Sequence, residues 1–478
     1  MTETDIKQKT LKGIFWNVIE KFLVKGTSFI ITIILARILS PSDYGLIGML
    51  AIFIALSNIF IESGFAKALI QKQGCTDVDY STAFYTNLGM SVLIYIIFFV
   101  AAPYVAAFYN EPLLCDILRI LSVNFILGAF NVAQRAKLMA KMYFKSLAKI
   151  NFAGTLLGGI VGIIMAYTGC GVWALVGQTI ISTFVMLFLF PHYSKWRPLW
   201  VFSKASFSAL FGFGSKLLIS GVVATVVNNI ATIAIGKVYK SSQLGFYTKA
   251  TQFSDLISLT VNDILGTVTF PVLSELQDQR ERMVAVYRKS LLYSAMIIFP
   301  VMMLIVLLAR PMVIALLTEK WLPCVVLLQI LCLARMFTPL SSINMNLLNA
   351  IGRPDLYMKI DLSKIPLILL MLVITIPISV KAIVIGNFII TFICFFINTY
   401  YPGKLYGYGA WEQIKDWRYI FISLIIMAVC VMLYLHFIDN VWLQFIGGGI
   451  VGCFTYVICC IKFDMLNPLV LKSLLNRQ

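Results

Sequence analysis

The stretch that decides the fold class is LLYSAMIIFPVMMLIVLLA, residues 291–309, which contains no charged side chain. A helix of this length rises about 28 Å, close to the ~30 Å hydrocarbon core of a bilayer. The pattern recurs along all 478 residues, of which 60% are hydrophobic and 12% charged. Soluble domains have about 45–50% apolar and 25% charged residues. We therefore predict an all-α polytopic membrane protein. A β-barrel is disfavoured because its strands alternate in short segments, whereas these runs are continuous.

The sequence contains fourteen such apolar runs, separated by short polar connections. The stretch 365–400 is too long for one helix, and Pro377 with Lys381 marks the predicted turn within it. We therefore expect about fourteen transmembrane helices, at approximately 13–38, 45–63, 84–108, 113–133, 150–167, 171–190, 207–236, 246–272, 291–309, 325–347, 365–380, 382–400, 419–436 and 442–461.

The distribution of basic residues predicts the orientation of these helices. If the N-terminus is cytoplasmic, the inside segments hold 26 lysines and arginines, and both termini lie in the cytoplasm. The outside loops then hold six: Lys237, Lys240, Lys249, Arg310, Lys320 and Lys381. The net charge of +17 is accounted for by loop bases facing anionic lipid, so no nucleic-acid partner is expected.

A repeat relates the two halves of the chain. IILARILSPSDYGLIG (33–48) matches IAIGKVYKSSQLGFYT (233–248) at a shift of 200, which places Gly45 on Gly245. Both copies begin on the predicted cytoplasmic side, so the repeat is parallel, an arrangement that builds transporters with a substrate site between the halves. The predicted divisions are a six-helix lobe at 1–205, a second six-helix lobe at 206–401, and two further helices with a tail at 402–478.

Polar side chains recur every three or four residues inside several apolar runs, which places them on one helix face. A polar group facing lipid costs several kcal/mol, so these faces are predicted to line a cavity. The shift of 200 puts Lys25, Ser28 and Thr32 on Thr225, Asn228 and Thr232. The predicted polar lining is Asn17, Ser28, Thr32, Asn58, Thr225, Asn228, Thr232, Ser258 and Asn262.

Basic residues outnumber acidic ones among the charges in or near the spans, which favours an anionic substrate. The predicted cationic groove is formed by Lys21, Lys25, Arg119, Lys216 and Arg335. Three alternatives remain open at this point. Lys21 could extend to the cytoplasmic headgroups, and so could Lys25, although less readily from the middle of its span. Arg119 could be neutralised by Asp116, three residues earlier on the same helix.

Two carboxylates are predicted to bind a coupling ion, H⁺ or Na⁺, because an acid in a membrane cavity can carry a cation. These are Glu62 in the second run and Asp255 in the eighth. Asp255 lies nearer the outer end of its span, so a role in an outer vestibule is an equal alternative. No metal site is expected, because the ten cysteines form no C-x-x-C pair and only two histidines are present.

Four segments resemble the polysaccharide-transporter flippases of the multidrug/oligosaccharidyl-lipid/polysaccharide exporter superfamily. They are LARILSPSDYGLIGM (35–49), AKMYFKSLAKI (140–150), LGFYTKA (244–250) and NAIGRPDLYMK (349–359). The resemblance covers essentially the whole chain. It implies two six-helix lobes around a cationic cavity, and transport driven by an ion gradient or the membrane potential and not by ATP.

The resemblance also implies a substrate and a location. Such flippases move undecaprenyl-pyrophosphate-linked oligosaccharide repeat units across the bacterial inner membrane for O-antigen, capsule or exopolysaccharide assembly. The expected partners are therefore the lipid-linked oligosaccharide, membrane lipids, and the polysaccharide polymerase with its chain-length machinery. Neither enzymatic activity nor a cofactor other than the coupling ion is expected.

Other functions are weighed against this one. A lipid II flippase or a drug/cation antiporter would share the fold, although a cationic groove disfavours cationic drugs. Asp77-x-Asp79 could hold a metal and a nucleotide sugar in a membrane glycosyltransferase, but the pattern is short and its loop is too small for a nucleotide-binding fold. A polysaccharide polymerase needs a large outside loop, which is missing. The chain contains no G-x-x-x-x-G-K-[ST] motif for an ATP-driven exporter.

The charge asymmetry makes the topology testable by cysteine labelling in intact cells. We expect cysteines placed at Lys145 and Arg282 to be shielded from a membrane-impermeant maleimide, and those at Asn110 and Lys320 to react. Full reaction at position 145 in intact cells would refute the orientation. Lysed cells are the control, because a signal that rises on lysis shows that the site was shielded in intact cells.

Overall fold

The computed structural model describes residues 3–62, 69, 74–463 and 465. Within these ranges it leaves out the side chains of 3–15, 17–19, 22, 58, 60–62, 209–217, 219–220, 264 and 267–268. The chain forms two compact units, Met1–Gly245 and Phe246–Gln478. The predicted lobe boundaries at 205/206 and 401/402 rest on the sequence repeat and stay predictions.

The described part of the first unit is helical. Its helices are α1 (Glu3–Ile38), α2 (Pro41–Glu62), α3 (Asp77–Tyr109), α4 (Leu113–Ala140), α5 (Phe144–Tyr167), α6 (Trp173–Ser194) and α7 (Lys204–Val238), followed by the first turn of α8 (Ser241–Glu275). The helix pairs α3–α4, α5–α6 and α1–α5 pack most extensively.

The second unit contains the rest of α8 and eight further α-helices among the described residues. They are α9 (Arg280–Leu317), α10 (Cys324–Arg335), α11 (Thr338–Ala350), α12 (Pro354–Thr375), α13 (Val380–Tyr406), α14 (Ala410–Asp416), α15 (Arg418–Phe437) and α16 (Val441–Lys462), with a short 3₁₀ turn at Glu319–Trp321. The turn between α12 and α13 contains Pro377, as the sequence predicted.

Ten helical segments among the described residues are long and apolar enough to cross a membrane. They are α3, α4, α5, α6, Gly221–Val238 of α7, α9, the α10–α11 pair, α13, α15 and α16. Large apolar side chains on several of them face outward, such as Phe454, which is 69% exposed. Exposed apolar surface on this scale suits hydrocarbon and not water, so the chain is a multi-pass membrane protein.

The other four predicted spans fall on α1, α2, α8 and α12. The first and third of these helices carry the polar stripes, and several side chains of α1 and α2 lie outside the described residues. Helix α12 has Lys359, Asp361 and Lys364 in its first half, which leaves a short apolar remainder. The total of fourteen spans therefore stays a prediction.

Glycines on α5 permit the close packing of the first unit. Gly154, Gly158 and Gly162 face α6, and a Cβ on Gly158 would lie 2.6 Å from the carbonyl oxygen of Gln178. The neighbouring Gly159 faces α1 instead, where a Cβ would lie 2.0 Å from Ile31 Cδ1. Small residues spaced four apart let helix backbones approach closely in a membrane, where dispersion and not hydrophobic exclusion drives helix association.

Helix α9 is the centre of the second unit and packs against α10, α11, α15 and α16. Its Phe299 is 1% exposed and contacts the rings of Trp417 and Phe421, with centroids 5.4 and 5.6 Å away. Aromatic contacts of this geometry add to the stabilisation from area burial. The aromatic cluster therefore joins α9 to α15.

A polar network attaches the short helix α14 to the same core. Tyr287 donates to Asn344 Oδ1, and Gln413 Nε2 donates to the same oxygen over 2.9 Å. On the surface side, Arg288 holds Asp416 through two contacts of 2.5 and 2.6 Å. Burial alone would raise the pKa of Asp416, but hydrogen bonds from Arg288 and Tyr408 outweigh it and the pKa is lowered.

The repeat-equivalent glycines predicted from the sequence meet in the structure, within the first unit. A Cβ on Gly45 would lie 1.8 Å from the carbonyl oxygen of Ser241, and a Cβ on Gly245 would lie 1.8 Å from that of Pro41. The hydroxyls of Ser42 and Ser241 are 2.7 Å apart. The starts of α2 and α8 therefore cross reciprocally, at a distance that only glycine permits.

Substituting these glycines tests the crossing. Gly45→Ala and Gly245→Ala should each destabilise the purified protein by about 1–3 kcal/mol, because the new methyl group meets backbone that cannot rotate away. The measurement is thermal unfolding in detergent, monitored by intrinsic fluorescence.

Gly89→Ala is the matched control, since a Cβ there has nothing within 4 Å. It should be neutral or slightly stabilising, because alanine favours helix more than glycine does. Equal melting temperatures for all three variants would contradict the close crossing.

Candidate functional site

The structure places the predicted site residues on six helices, α1, α2, α4, α7, α8 and α10, and leaves the side chains of four of them undescribed. The side chains of Asn17, Asn58, Glu62 and Lys216 lie outside the described residues. On α1, Lys21 is exposed, whereas Lys25, Ser28 and Thr32 are half-buried. On α7, Thr225 and Thr232 are half-buried and Asn228 is exposed; on α8, Ser258 is buried and Asn262 half-buried. The single cavity predicted to be lined by these faces stays a prediction.

Lys249 differs from its predicted place in an outside loop. Helix α8 begins at Ser241, so Lys249 lies in its third turn and is fully buried in the second unit. Its ammonium group donates to Gln252 Oε1 over 3.1 Å and lies 5.9 Å from the ring centroid of Trp321. Lys249 therefore does not belong among the outside-loop bases, and its removal sharpens the charge asymmetry behind the orientation.

Arg119 lies in the first unit, on α4, where its guanidinium stacks on the ring of Phe99 with 4.4 Å between the guanidinium carbon and the ring centroid. Among the described residues, no ion pair joins it to Asp116, which is exposed. Its buried Nε has no hydrogen-bond partner within the described part of the chain. A cation–π contact thus takes the place of the intrahelical pair that the sequence left open.

Three predicted site residues come together in the second unit. Arg335 Nε, at the end of α10, lies 2.5 Å from Asp255 Oδ1 on α8. One turn further along α8, Ser258 donates its hydroxyl proton to the carbonyl oxygen of Arg335 over 3.2 Å. A predicted substrate-binding base, a predicted ion-binding acid and a predicted lining residue therefore form one cluster, called here the Arg335 cluster.

A proline explains why the carbonyl of Arg335 can accept this bond. The run predicted as a single helix at 325–347 is interrupted at Met336 and Phe337, between α10 and α11. Pro339 has no N–H to donate to the carbonyl four residues earlier, which is that of Arg335. The freed oxygen needs a partner inside a membrane protein, and Ser258 supplies one.

Sequence reasoning missed two neighbours of this cluster. The phenol of Tyr247 and the thiol of Cys332 interact electrostatically with both Asp255 and Arg335, and both side chains are buried. Cys332 precedes Arg335 by three residues on α10 and Tyr247 precedes Asp255 by eight on α8, so helical periodicity could have found both.

The Asp77-x-Asp79 motif has a structural use in the first unit. Asp79 closes a capping box at the start of α3, accepting hydrogen bonds from the backbone and the hydroxyl of Thr76 over 2.9 and 3.1 Å. Asp77 pairs with Lys137 of α4 at 2.7 Å. Asp79 therefore caps α3 and Asp77 joins α3 to α4, which accounts for the motif without a nucleotide sugar.

Comparisons with known proteins agree on a group of membrane proteins that serve polysaccharide synthesis. The model of the family described as "Polysaccharide biosynthesis protein" matches residues 34–326. The lipopolysaccharide biosynthesis protein WzxC of Escherichia coli (strain K12) is 23% identical, over 75% of this chain and 73% of its own. The teichuronic acid biosynthesis protein TuaB of Bacillus subtilis (strain 168) is 25% identical, over 73% of each chain. The succinoglycan biosynthesis transport protein ExoT of Rhizobium meliloti is 25% identical, over 72% of this chain and 69% of its own.

Solved structures agree on the fold. The lipid II flippase MurJ in an inward closed conformation superposes with a TM-score of 0.74 at 15% identity, covering 94% of this chain and 99% of its own. An inward-facing multidrug-resistance transporter of the MATE family, within the MOP superfamily, gives 0.63 at 15% identity, covering 83% and 100%. At these identities the likeness establishes the fold and leaves the cargo open.

Proposed function

Because this chain belongs to the polysaccharide biosynthesis protein family, we propose that it is a flippase for lipid-linked oligosaccharides. Its cargo is an undecaprenyl-pyrophosphate-linked repeat unit, moved outward across the bacterial inner membrane for O-antigen, capsule or exopolysaccharide assembly. It works by alternating access, driven by an ion gradient or the membrane potential, and not as an enzyme. The proposal includes fourteen spans, two six-helix lobes and cytoplasmic termini. It also includes the polysaccharide polymerase and the chain-length machinery as partners.

The observation that carries the proposal is the presence of partly buried basic side chains in the predicted spans. Lys25 on α1, Arg119 on α4 and Arg335 on α10 are all half-buried, and each lies within a predicted membrane span. Charges are costly in that environment and persist where they serve a pathway or a ligand. A pyrophosphate head group carries the complementary charge, and lysine and arginine are the side chains that bind it.

Lys25 is the base on which the proposal depends first. It lies about 18 Å along the predicted first span, near its middle, where extension to the headgroups is hardest. It shares a helix face with Lys21, Ser28 and Thr32, and the repeat reproduces that face on α7. This periodicity supports a role for Lys25 inside the transport path.

Lys25→Ala should abolish surface-polysaccharide export while the protein stays in the membrane at normal abundance, because the substrate phosphate loses a neutralising charge. Lys25→Arg should retain part of the activity, since the charge persists with a different geometry. Both are measured by surface-polysaccharide immunoblot in a strain whose own gene is deleted.

Lys404→Ala, at an exposed position near the end of α13, is the matched control and should export normally. A structural role for Lys25 would instead lower the abundance of the alanine variant, with normal export per remaining molecule. Normal export from a Lys21→Ala/Lys25→Ala double variant at normal abundance would exclude this helix from the groove.

Alternating access requires contacts on one side of the membrane to break and re-form during each cycle. The crossing of α2 and α8 at Gly45 and Gly245 lies on the predicted outer side, and the Ser42 and Ser241 hydroxyls are 2.7 Å apart there. We therefore propose that this crossing opens when cargo leaves to the outside. The close approach of the two helix backbones at these glycines supports a contact that forms in one conformation of the transport cycle and breaks in another.

A disulfide between Ser42→Cys and Ser241→Cys should arrest export, and a reductant should restore it. The variant is best made with the exposed Cys170 and Cys453 changed to serine, so that the new pair reacts alone. Crosslinking is followed by gel mobility after limited proteolysis, and export is measured in the same cells.

Each single cysteine variant serves as a control and should export at the wild-type level with or without oxidant. Full export from completely crosslinked protein would show that the crossing does not open during transport.

A further inference from the structure

The Arg335 cluster joins a predicted anion-binding residue directly to a predicted ion-coupling residue. Arg335 Nε and Asp255 Oδ1 are 2.5 Å apart, and their side chains are 24% and 26% exposed. The ion pair is therefore formed, and about a quarter of each side chain remains accessible. Asp255 and Arg335 stabilise each other through this one contact. A ligand that binds either side chain therefore removes the partner of the other.

A diphosphate is a strong competitor for this guanidinium. Arginine presents five N–H donors in a planar fork that matches phosphate oxygens two at a time. The carboxylate of Asp255 contacts the guanidinium through Nε, whereas a diphosphate can use several donors at once and carries more charge. Exchange of one anion for the other at Arg335 is thus favourable without any new cation in the site.

The displaced carboxylate then needs neutralising. An unpaired carboxylate within a membrane segment is costly and is relieved by binding a cation. The described titratable neighbours that interact with Asp255 are Arg335, the Tyr247 phenol and the Cys332 thiol. Arg335 is occupied by the incoming anion, and the phenol and thiol are uncharged at neutral pH. A proton needs no further ligands, so it is the cation that this cluster can accept.

The backbone contact keeps the two helices in register while the pair exchanges. Ser258 donates to the Arg335 carbonyl that Pro339 leaves open. This bond does not involve the guanidinium, so it survives loss of the Asp255 contact. The end of α10 therefore stays against α8, and Asp255 stays close enough to return.

We propose that Arg335 is a partner-exchange site, at which a polyprenyl diphosphate displaces the Asp255 carboxylate and the displaced carboxylate takes up one proton. This inference rests on the proposed function and describes charge compensation in the site. A proton that travels outward with the cargo cannot supply the drive from an inward proton gradient, so the membrane potential acting on the anionic cargo remains the driving force. One ion pair breaks, one forms, and one proton moves from water to Asp255, so that diphosphate and proton bind together. Release of the diphosphate reverses each step, and the proton leaves as Arg335 recaptures Asp255.

The test is calorimetric titration of the purified full-length protein with farnesyl diphosphate at pH 6, in two buffers of different ionisation enthalpy. The difference between the two apparent enthalpies gives the net number of protons exchanged on binding. The terminal phosphate of farnesyl diphosphate also titrates near this pH, so the count for Asp255→Asn is subtracted from that of wild type to give the uptake that depends on Asp255. This uptake should be about one proton per diphosphate. Affinity should fall as pH rises, because linked ligands promote each other's binding reciprocally.

Variants separate the two residues. Asp255→Asn should bind farnesyl diphosphate about tenfold more tightly and take up about one proton less than wild type, because the competing carboxylate is gone. Arg335→Lys should bind farnesyl diphosphate more weakly but keep the proton uptake, since its ammonium group still exchanges partners. This variant replaces Asp255→Asn as the test if the asparagine variant does not fold. Asp355→Asn is the matched control, because it breaks the exposed Arg353–Asp355 pair of 2.9 Å and should behave as wild type.

The outcomes distinguish this inference from the function on which it rests. No detectable binding of farnesyl diphosphate to wild type would overturn both. Binding without proton uptake, including binding that requires Na⁺ instead, would overturn the exchange alone. Unchanged affinity and undiminished uptake in Asp255→Asn would also overturn the exchange, because another group would then be the proton acceptor.

Discussion

The constraint on which the rest of the structure depends is the absence of water in the bilayer core. Every buried peptide N–H and C=O must find its partner inside the protein, and in a helix nearly all of them do so within the same segment. Polar side chains in the spans follow the same requirement. The hydroxyls of Ser57, Thr179 and Thr399 each bond to the carbonyl four residues earlier on their own helix. The described chain is therefore helical almost throughout, with short connections.

The same constraint turns each irregularity into a position of interest. Pro339 interrupts one helix and leaves the Arg335 carbonyl without its usual donor, and Ser258 of α8 fills that place. The side chain of Arg335 pairs with Asp255, which lies on α8 like Ser258. A break that would be unfavourable in lipid thus produces a charged cluster between two helices. Arg119 is accommodated differently, by the face of an aromatic ring.

Close backbone packing is the second theme, and it depends on glycine. Along α5, glycines four residues apart let α6 approach on one face, while Gly159 admits Ile31 of α1 on another. At Gly45 and Gly245 the same device joins the two repeat-equivalent segments. Because dispersion forces act only over short distances, these positions contribute to packing through the absence of a side chain.

The sequence by itself determined the membrane-protein class, the turn at Pro377, and the match of Gly45 with Gly245, because hydropathy, periodicity and repetition are local properties of the chain. The candidate site was only partly accessible in this way. Asp255 and Arg335 were each singled out as charges in apolar runs, but their pairing across 80 residues appeared only in the tertiary structure.

Tertiary structure also decided which polar residues serve the fold. It buried Lys249 in α8, where the sequence predicted an outside loop, and it used Asp77 to join α3 to α4 and Asp79 to cap α3. The physical reason is the same in each case. The role of a charged side chain depends on the partner that folding brings to it. That partner can lie on another helix, and which residues are available as partners also depends on where each helix begins.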